Sequence, residues 1–138
     1  MDNQVLDAET AELEFMRWAE AMDLDIDTSF MDAEDTTAFE KQKRKILTAM
    51  QRGGLVINDD GEAVFTPQNP KSRYKEAITF HERTGASIMA MDGKKKNQDV
   101  AKTFAVMADM CKVPPSVFAG LSGNDGKVCE ALFAFLMD

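Results

Sequence analysis

Asp23, Asp25, Asp27 and Glu34 stand at positions 1, 3, 5 and 12 of the stretch DLDIDTSFMDAE. A calcium-binding helix–loop–helix places carboxylates at the first three of these positions and a bidentate Glu at the last. Phe30 supplies an apolar residue in between, and amphipathic helical patterns flank the stretch on both sides. Position 6, however, is Thr28. The sharp turn there calls for Gly with positive φ, and a β-branched residue meets a steric penalty. Such loops generally work in pairs, and this chain has one. Asp also caps helices and favours turns without any metal. The stretch therefore reads as an acidic linker, with calcium binding by the four carboxylates as the alternative.

The other candidates for chemistry are few. His81 is the single histidine, and Cys111 and Cys129 have no CxxC partner. Structural zinc needs four well-spaced N or S ligands, so a zinc site is not expected. Both cysteines fall on apolar helical stripes and read as buried structural thiols, although sequence leaves a Cys–His pair open. No dinucleotide fingerprint, P-loop, nucleophile elbow or HExxH is present. The expectation is a protein without catalytic function or cofactor.

Stepping outward to the elements, residues 7–22 read as a helix with Ala11, Phe15, Trp18, Ala19 and Met22 at helical spacing. A second runs through DAEDTTAFEKQKRKILTAMQRGG, capped by Asp32 or Asp35 and ended by Gly53, with Phe39, Ile46, Leu47 and Met50 on one face. The period then changes. LVINDDGEAVFTP is two short β-rich runs about a tight turn at Asn58-Asp59-Asp60-Gly61, and YKEAITF alternates as a further strand. Thr84 can cap a short helical turn through GASIMAMD. DVAKTFAVMADMC follows as a helix capped at Asp99, and Pro114-Pro115 ends it and starts the short SVFAGL. SGNDG breaks the chain again before a terminal helix, KVCEALFAFLMD. The class is α+β: an N-terminal helical hairpin, a small antiparallel sheet of three or four strands, and a C-terminal helical bundle packed on it. Residues 1–53 read as an acidic helical arm and 54–138 as the core.

Composition sets the partners. The chain has 138 residues, 44% of them hydrophobic, enough for one real core. No run approaches the roughly 18 apolar residues of a membrane span, and the acidic start lacks a signal peptide's basic and apolar regions. A cytoplasmic protein with reduced thiols is expected. Residues 1–40 carry 13 acidic side chains and one arginine, a balance of −12, whereas residues 41–138 stand at +4. The basic footprint of Lys41-Gln42-Lys43-Arg44-Lys45 is too small to suggest nucleic acid. Ten methionines are present, and Met89, Met91, Met107, Met110 and Met137 share the C-terminal segments with Phe104, Phe118, Phe133 and Phe135. They read as core or as a pliable groove for another chain's helix, because flexible Met side chains repack around partners. Met110, Phe133 and Met137 are the candidate partner-binding residues.

ITFHERTGASIMAMD and FAVMADMCKVPPSVFAGLSGNDGKVCEALFAFL carry a resemblance to the phage tail assembly chaperones. The first looks like the strand, turn and short helix that open that family's core. The second is similar to its ending, in which an alanine-rich helix leads into a double-proline break, a short helix, an acidic turn and a final helix. The match covers about residues 74–138 and departs at Arg83, where relatives often have Pro, and at the Gly123/Gly126 turn. The resemblance implies a protein of the bacterial host cytoplasm that binds the long tape-measure protein during tail assembly. It would recruit tail-tube subunits and be absent from the finished virion. A homo-oligomer and a longer, frameshifted product are compatible with it. The alternatives are a calcium-responsive regulatory module built on 23–34 and a structural component of the tail.

Overall fold

Helix α1 (Ala8–Ala21) starts where the Asp7 carboxylate accepts the Thr10 N–H at 2.7 Å, and α2 (Ala33–Gln51) where Asp32 accepts the Asp35 N–H at 2.7 Å. These are N-caps, satisfying a donor that the first helical turn leaves orphaned. The computed structural model in which these elements are seen describes residues 6–82, 84 and 99–137. Both helices end in paired bonds from the two residues past the cap back to the last turn: Asp23 N–H to Glu20 O with Leu24 N–H to Ala19 O, and Gly53 N–H to Met50 O with Gly54 N–H to Ala49 O. The motif needs a left-handed residue, and Asp23 (φ 56°) and Gly53 (φ 81°) supply it. The short turn that sequence places in GASIMAMD lies outside the described residues.

Three strands follow, β1 (Leu55–Ile57), β2 (Ala63–Phe65) and β3 (Ile78–Phe80), in one antiparallel sheet of order β1-β2-β3. Leu55 pairs with Phe65 and Phe65 with Ile78, so Leu55, Ile57, Ala63, Phe65, Ile78 and Phe80 all turn to the buried face. Asn58 organises the hairpin by accepting the N–H groups of Asp60 and Glu62 on Oδ1, both at 2.9 Å. Gly61 is doubly required there. Its φ is +81°, and a Cβ would lie 2.3 Å from the Ala21 Cβ of α1.

The third strand is shorter than the alternation from Tyr74 suggests. The segment before it is held elsewhere: Arg73 N–H donates to Gly120 O at 2.8 Å, and the Lys75 side chain folds back so that Nζ donates to Pro70 O at 2.7 Å. The last helices are α3 (Asp99–Cys111), α4 (Ser116–Ala119) and α5 (Asn124–Met137). Helix α5 begins three residues earlier than Lys127, inside the expected break, because Asp125 and Gly126 form its first turn.

Asp125 explains that turn. Its side chain is buried, and three neutral donors surround it: Gln68 N–H on Oδ1 (2.9 Å), and Asn69 N–H (2.9 Å) and Ser72 Oγ–H (2.7 Å) on Oδ2. Ser72 Oγ in turn accepts the Ser122 N–H at 2.8 Å. One carboxylate therefore pins the 66–73 loop to the start of α5.

The α+β class is as expected, with three strands. The packing runs across residue 53. Ala11, Phe15 and Trp18 of α1 and Ile46 and Met50 of α2 share one continuous core with the sheet, Met107, Leu132 and Phe135. Phe135 is its hub, edge-on to Phe15 (5.6 Å), Trp18 (6.0 Å) and Phe39 (5.4 Å) between ring centroids. Helix α2 packs chiefly on α5. The acidic residues therefore line the outer faces of helices that belong to the core.

Candidate functional site

The carboxylates singled out by spacing are used by the backbone. Asp23 is the left-handed residue that closes α1, Asp25 Oδ1 accepts the Asp27 N–H (3.0 Å), and Asp27 Oδ1 accepts the Ser29 N–H (2.9 Å). Hydrogen bonds from Ser29 hold the Asp27 carboxyl below the usual range. Glu34 lies in the first turn of α2. Thr28 is not among the positive-φ residues, so the chain does not make the turn a calcium loop requires at that position. Among the described residues, no three His, Cys, Asp or Glu side chains are grouped to hold a metal ion.

The reactive side chains are equally committed. His81 Nδ1 pairs with Glu62 Oε2 at 2.6 Å, and Asn58 Nδ2 donates to Glu62 Oε1 at 3.3 Å. Burial pushes the Glu62 carboxyl up, but the hydrogen bonds from His81 and Asn58 and the charges of His81 and Lys112 outweigh it and hold the group low. Cys111 and Cys129 are free and buried. Burial pushes the Cys111 thiol up to about 12, and burial with the nearby Cys111, Asp125 and Glu130 raises Cys129 further from its thiolate form. A thiol in that state is a poor nucleophile.

The proposed partner-binding residues separate. Met110 is 2% exposed and belongs to the core, so it cannot present a surface to a client; Met107 is buried as well. Helical stripes of Met and Phe face inward here because α3 is covered by α4, β3 and α5. Phe133 and Met137 are half-buried against the core, and Met89 and Met91 lie outside the described residues.

Surface apolarity lies instead at the other end of the chain. Phe30 is 95% exposed, Leu13 61%, Met16 53% and Val56 59%. Single exposed hydrophobes are ordinary, but Phe30 precedes Met31, which lines a groove. An open depression of about 430 Å³ runs between α2 and the end of α5, lined by Met31, Asp35, Ala38, Phe39, Gln42, Ala134 and Phe135. Ala38 and Ala134 are small and exposed, so they leave a low rim on both helices, with half-buried Phe39 in the wall and the buried Phe135 ring beneath it. Gln42 Oε1 is buried in this wall with no donor among the described residues. A buried acceptor without a partner costs about 1–3 kcal/mol, so the groove carries an unmet polar demand.

Helical spacing puts Phe39 on a core-facing stripe, and Phe30 stands as the apolar residue within the acidic stretch. The signal for the groove was Ala38 one position before Phe39 and Ala134 one before Phe135, but nothing in the spacing says that the two pairs meet. Among the described residues, no helix is long and apolar enough to cross a membrane. No family model, no curated protein and no solved structure matches the chain.

Proposed function

We propose that the chain is a non-catalytic phage or prophage tail assembly chaperone. It binds the tape-measure protein during assembly in the host cytoplasm and leaves before the virion is complete. The observation that carries this reading is the open groove between α2 and α5, with Met31, Phe39 and Phe135 in its lining. A protein that shields a long helical client needs such a cleft on a folded, charged body, since apolar helix faces are taken up by grooves through i, i+3/i+4 and i+7 anchors. The buried thiols and the carboxylates tied into turns leave those groups committed to the fold, in keeping with binding rather than turnover. The resemblance of residues 74–138 to the tail chaperones supplies the client, with the tail-tube protein as the second partner.

The test is co-expression of the tagged full chain with the tape-measure protein encoded in the same phage, together with analysis of purified virions. The tape-measure protein is expected to co-purify and to stay soluble only when the chain is present, and the chain is expected to be missing from virions. Stoichiometric retention in virions would make it a tail component instead.

A further inference from the structure

The groove has a charge as well as a shape. At one end stand Asp35, a lining residue, with Asp32 and Glu34 beside it at the start of α2. Across from them is the last turn of α5, which contains Ala134 and Phe135 and no basic residue. The unsatisfied carbonyls of a helix C-terminus carry the negative end of its dipole. Side chains and backbone thus present the same sign. None of the α2 cations lines the groove: Lys41, Arg44 and Lys45 come later in the helix, about 9, 14 and 15 Å from Asp35 at the helical rise. Lys43 is occupied, bonded to Glu12 at 3.0 Å and lying over the Phe15 ring at 5.3 Å.

Size fixes the kind of occupant. The lining on α2 runs from Asp35 to Gln42, two turns or about 10 Å, the span of three anchors at i, i+3/i+4 and i+7. Met31, ahead of α2 in the chain, adds apolar lining beyond those two turns, which suits an elongated ligand better than a small one. Gln42 Oε1 asks for a donor at the far end of that span.

We propose that this groove binds a cationic amphipathic helix. Its apolar stripe packs on Phe39, Phe135 and the two alanines, a Lys or Arg lies against Asp35 and the α5 carbonyls, and a side-chain donor reaches Gln42. This rests on the chaperone reading and deepens it, since it specifies which segments of a long helical client are held.

The probes are two fluorescein-labelled 18-residue helical peptides with the same leucine stripe, one carrying Lys on its polar face and the other Glu. Binding to the full chain is read by fluorescence anisotropy. The Lys peptide is expected to bind at least tenfold more tightly than the Glu peptide. Ala134→Lys, at an exposed position in the groove, should weaken it at least tenfold, whereas the charge-matched Leu13→Lys on α1 should change it less than twofold. Absence of binding, equal affinity for the two peptides, or equal weakening by Leu13→Lys and Ala134→Lys would each overturn the proposal. Circular dichroism confirms that both variants fold; if Ala134→Lys does not, Ala38→Lys on the facing helix serves in its place. Co-expression separates the two levels. A tape-measure protein that still co-purifies with Ala134→Lys places the client elsewhere and refutes the groove alone. Peptide binding without any capture of the tape-measure protein refutes the chaperone reading alone.

Discussion

Replacing Asp125 with Ala should be among the most damaging single changes in this protein. The side chain is 2% exposed and accepts three hydrogen bonds, from Gln68 N–H, Asn69 N–H and Ser72 Oγ–H. Removing it leaves those donors without their acceptor, and each orphaned buried donor costs about 1–3 kcal/mol. Gln68 is exposed, so water recovers part of that cost around its N–H. The expected loss is about 3–5 kcal/mol, the range for breaking a buried charged network. That is a third or more of the roughly 5–15 kcal/mol by which domains are usually stable. Asp125→Asn keeps one acceptor oxygen but turns an NH2 group toward the donors, and should lose about 1–3 kcal/mol. Urea denaturation with linear extrapolation measures both. Ser72→Ala removes a donor to Asp125 and the acceptor of Ser122 N–H, so the double variant should depart from additivity by about 1 kcal/mol or more. A loss under 1 kcal/mol for Asp125→Ala, or strict additivity with Ser72→Ala, would refute the account of this carboxylate as the pin between loop and helix.

Gly61→Ala should destabilise by about 2 kcal/mol or more, since it combines a left-handed φ with a clash on Ala21. Gly126→Ala in the first turn of α5 meets nothing within 4 Å and should stabilise by about 0.5–1 kcal/mol; thermal unfolding compares the two. Thiol labelling of the native protein at pH 8 should be slow at both cysteines and become complete on adding denaturant, because burial disfavours both thiolates; rapid labelling of either would argue against that burial. Calorimetric titration with calcium should show no site of micromolar or better affinity, since Asp25 and Asp27 are held in backbone turns and Thr28 does not turn the chain.

What could be read from the sequence was what the chain does over a few residues. Asp32 caps, Gly53 and Gly61 turn, Pro114 and Pro115 interrupt, and the Phe15–Trp18 stripe faces inward. Each is decided by sterics or hydrogen bonds inside one turn. What escaped was set by partners far along the chain. The approach to β3 is held by Arg73 N–H, which donates to Gly120 O far along the chain, and Asp125 is a lattice of contacts 53 to 57 residues away. Met110 shows the same limit in the site. Its composition fits a pliable surface equally well, and only the covering helices decide that it is core. The groove is legible from neither helix alone, because it is the space that two alanines leave where those helices meet.

Arg17 is the single cation among the first forty residues, and its position is not incidental. Glu14 grips it through two bonds of 2.9 and 3.0 Å, and it donates to Ile57 O (2.7 Å) and Asn58 O (2.9 Å) at the end of β1. In the observed register the Ile57 carbonyl points away from β2, toward the open side of the sheet. A guanidinium thus sits where the next strand would have to dock. The sheet stops growing at β1, and a neighbouring copy finds no free ribbon there to lengthen. Assembly of copies, where it occurs, must therefore avoid strand pairing at the β1 edge, and high local concentration of the chain need not drive it into shared β-structure there.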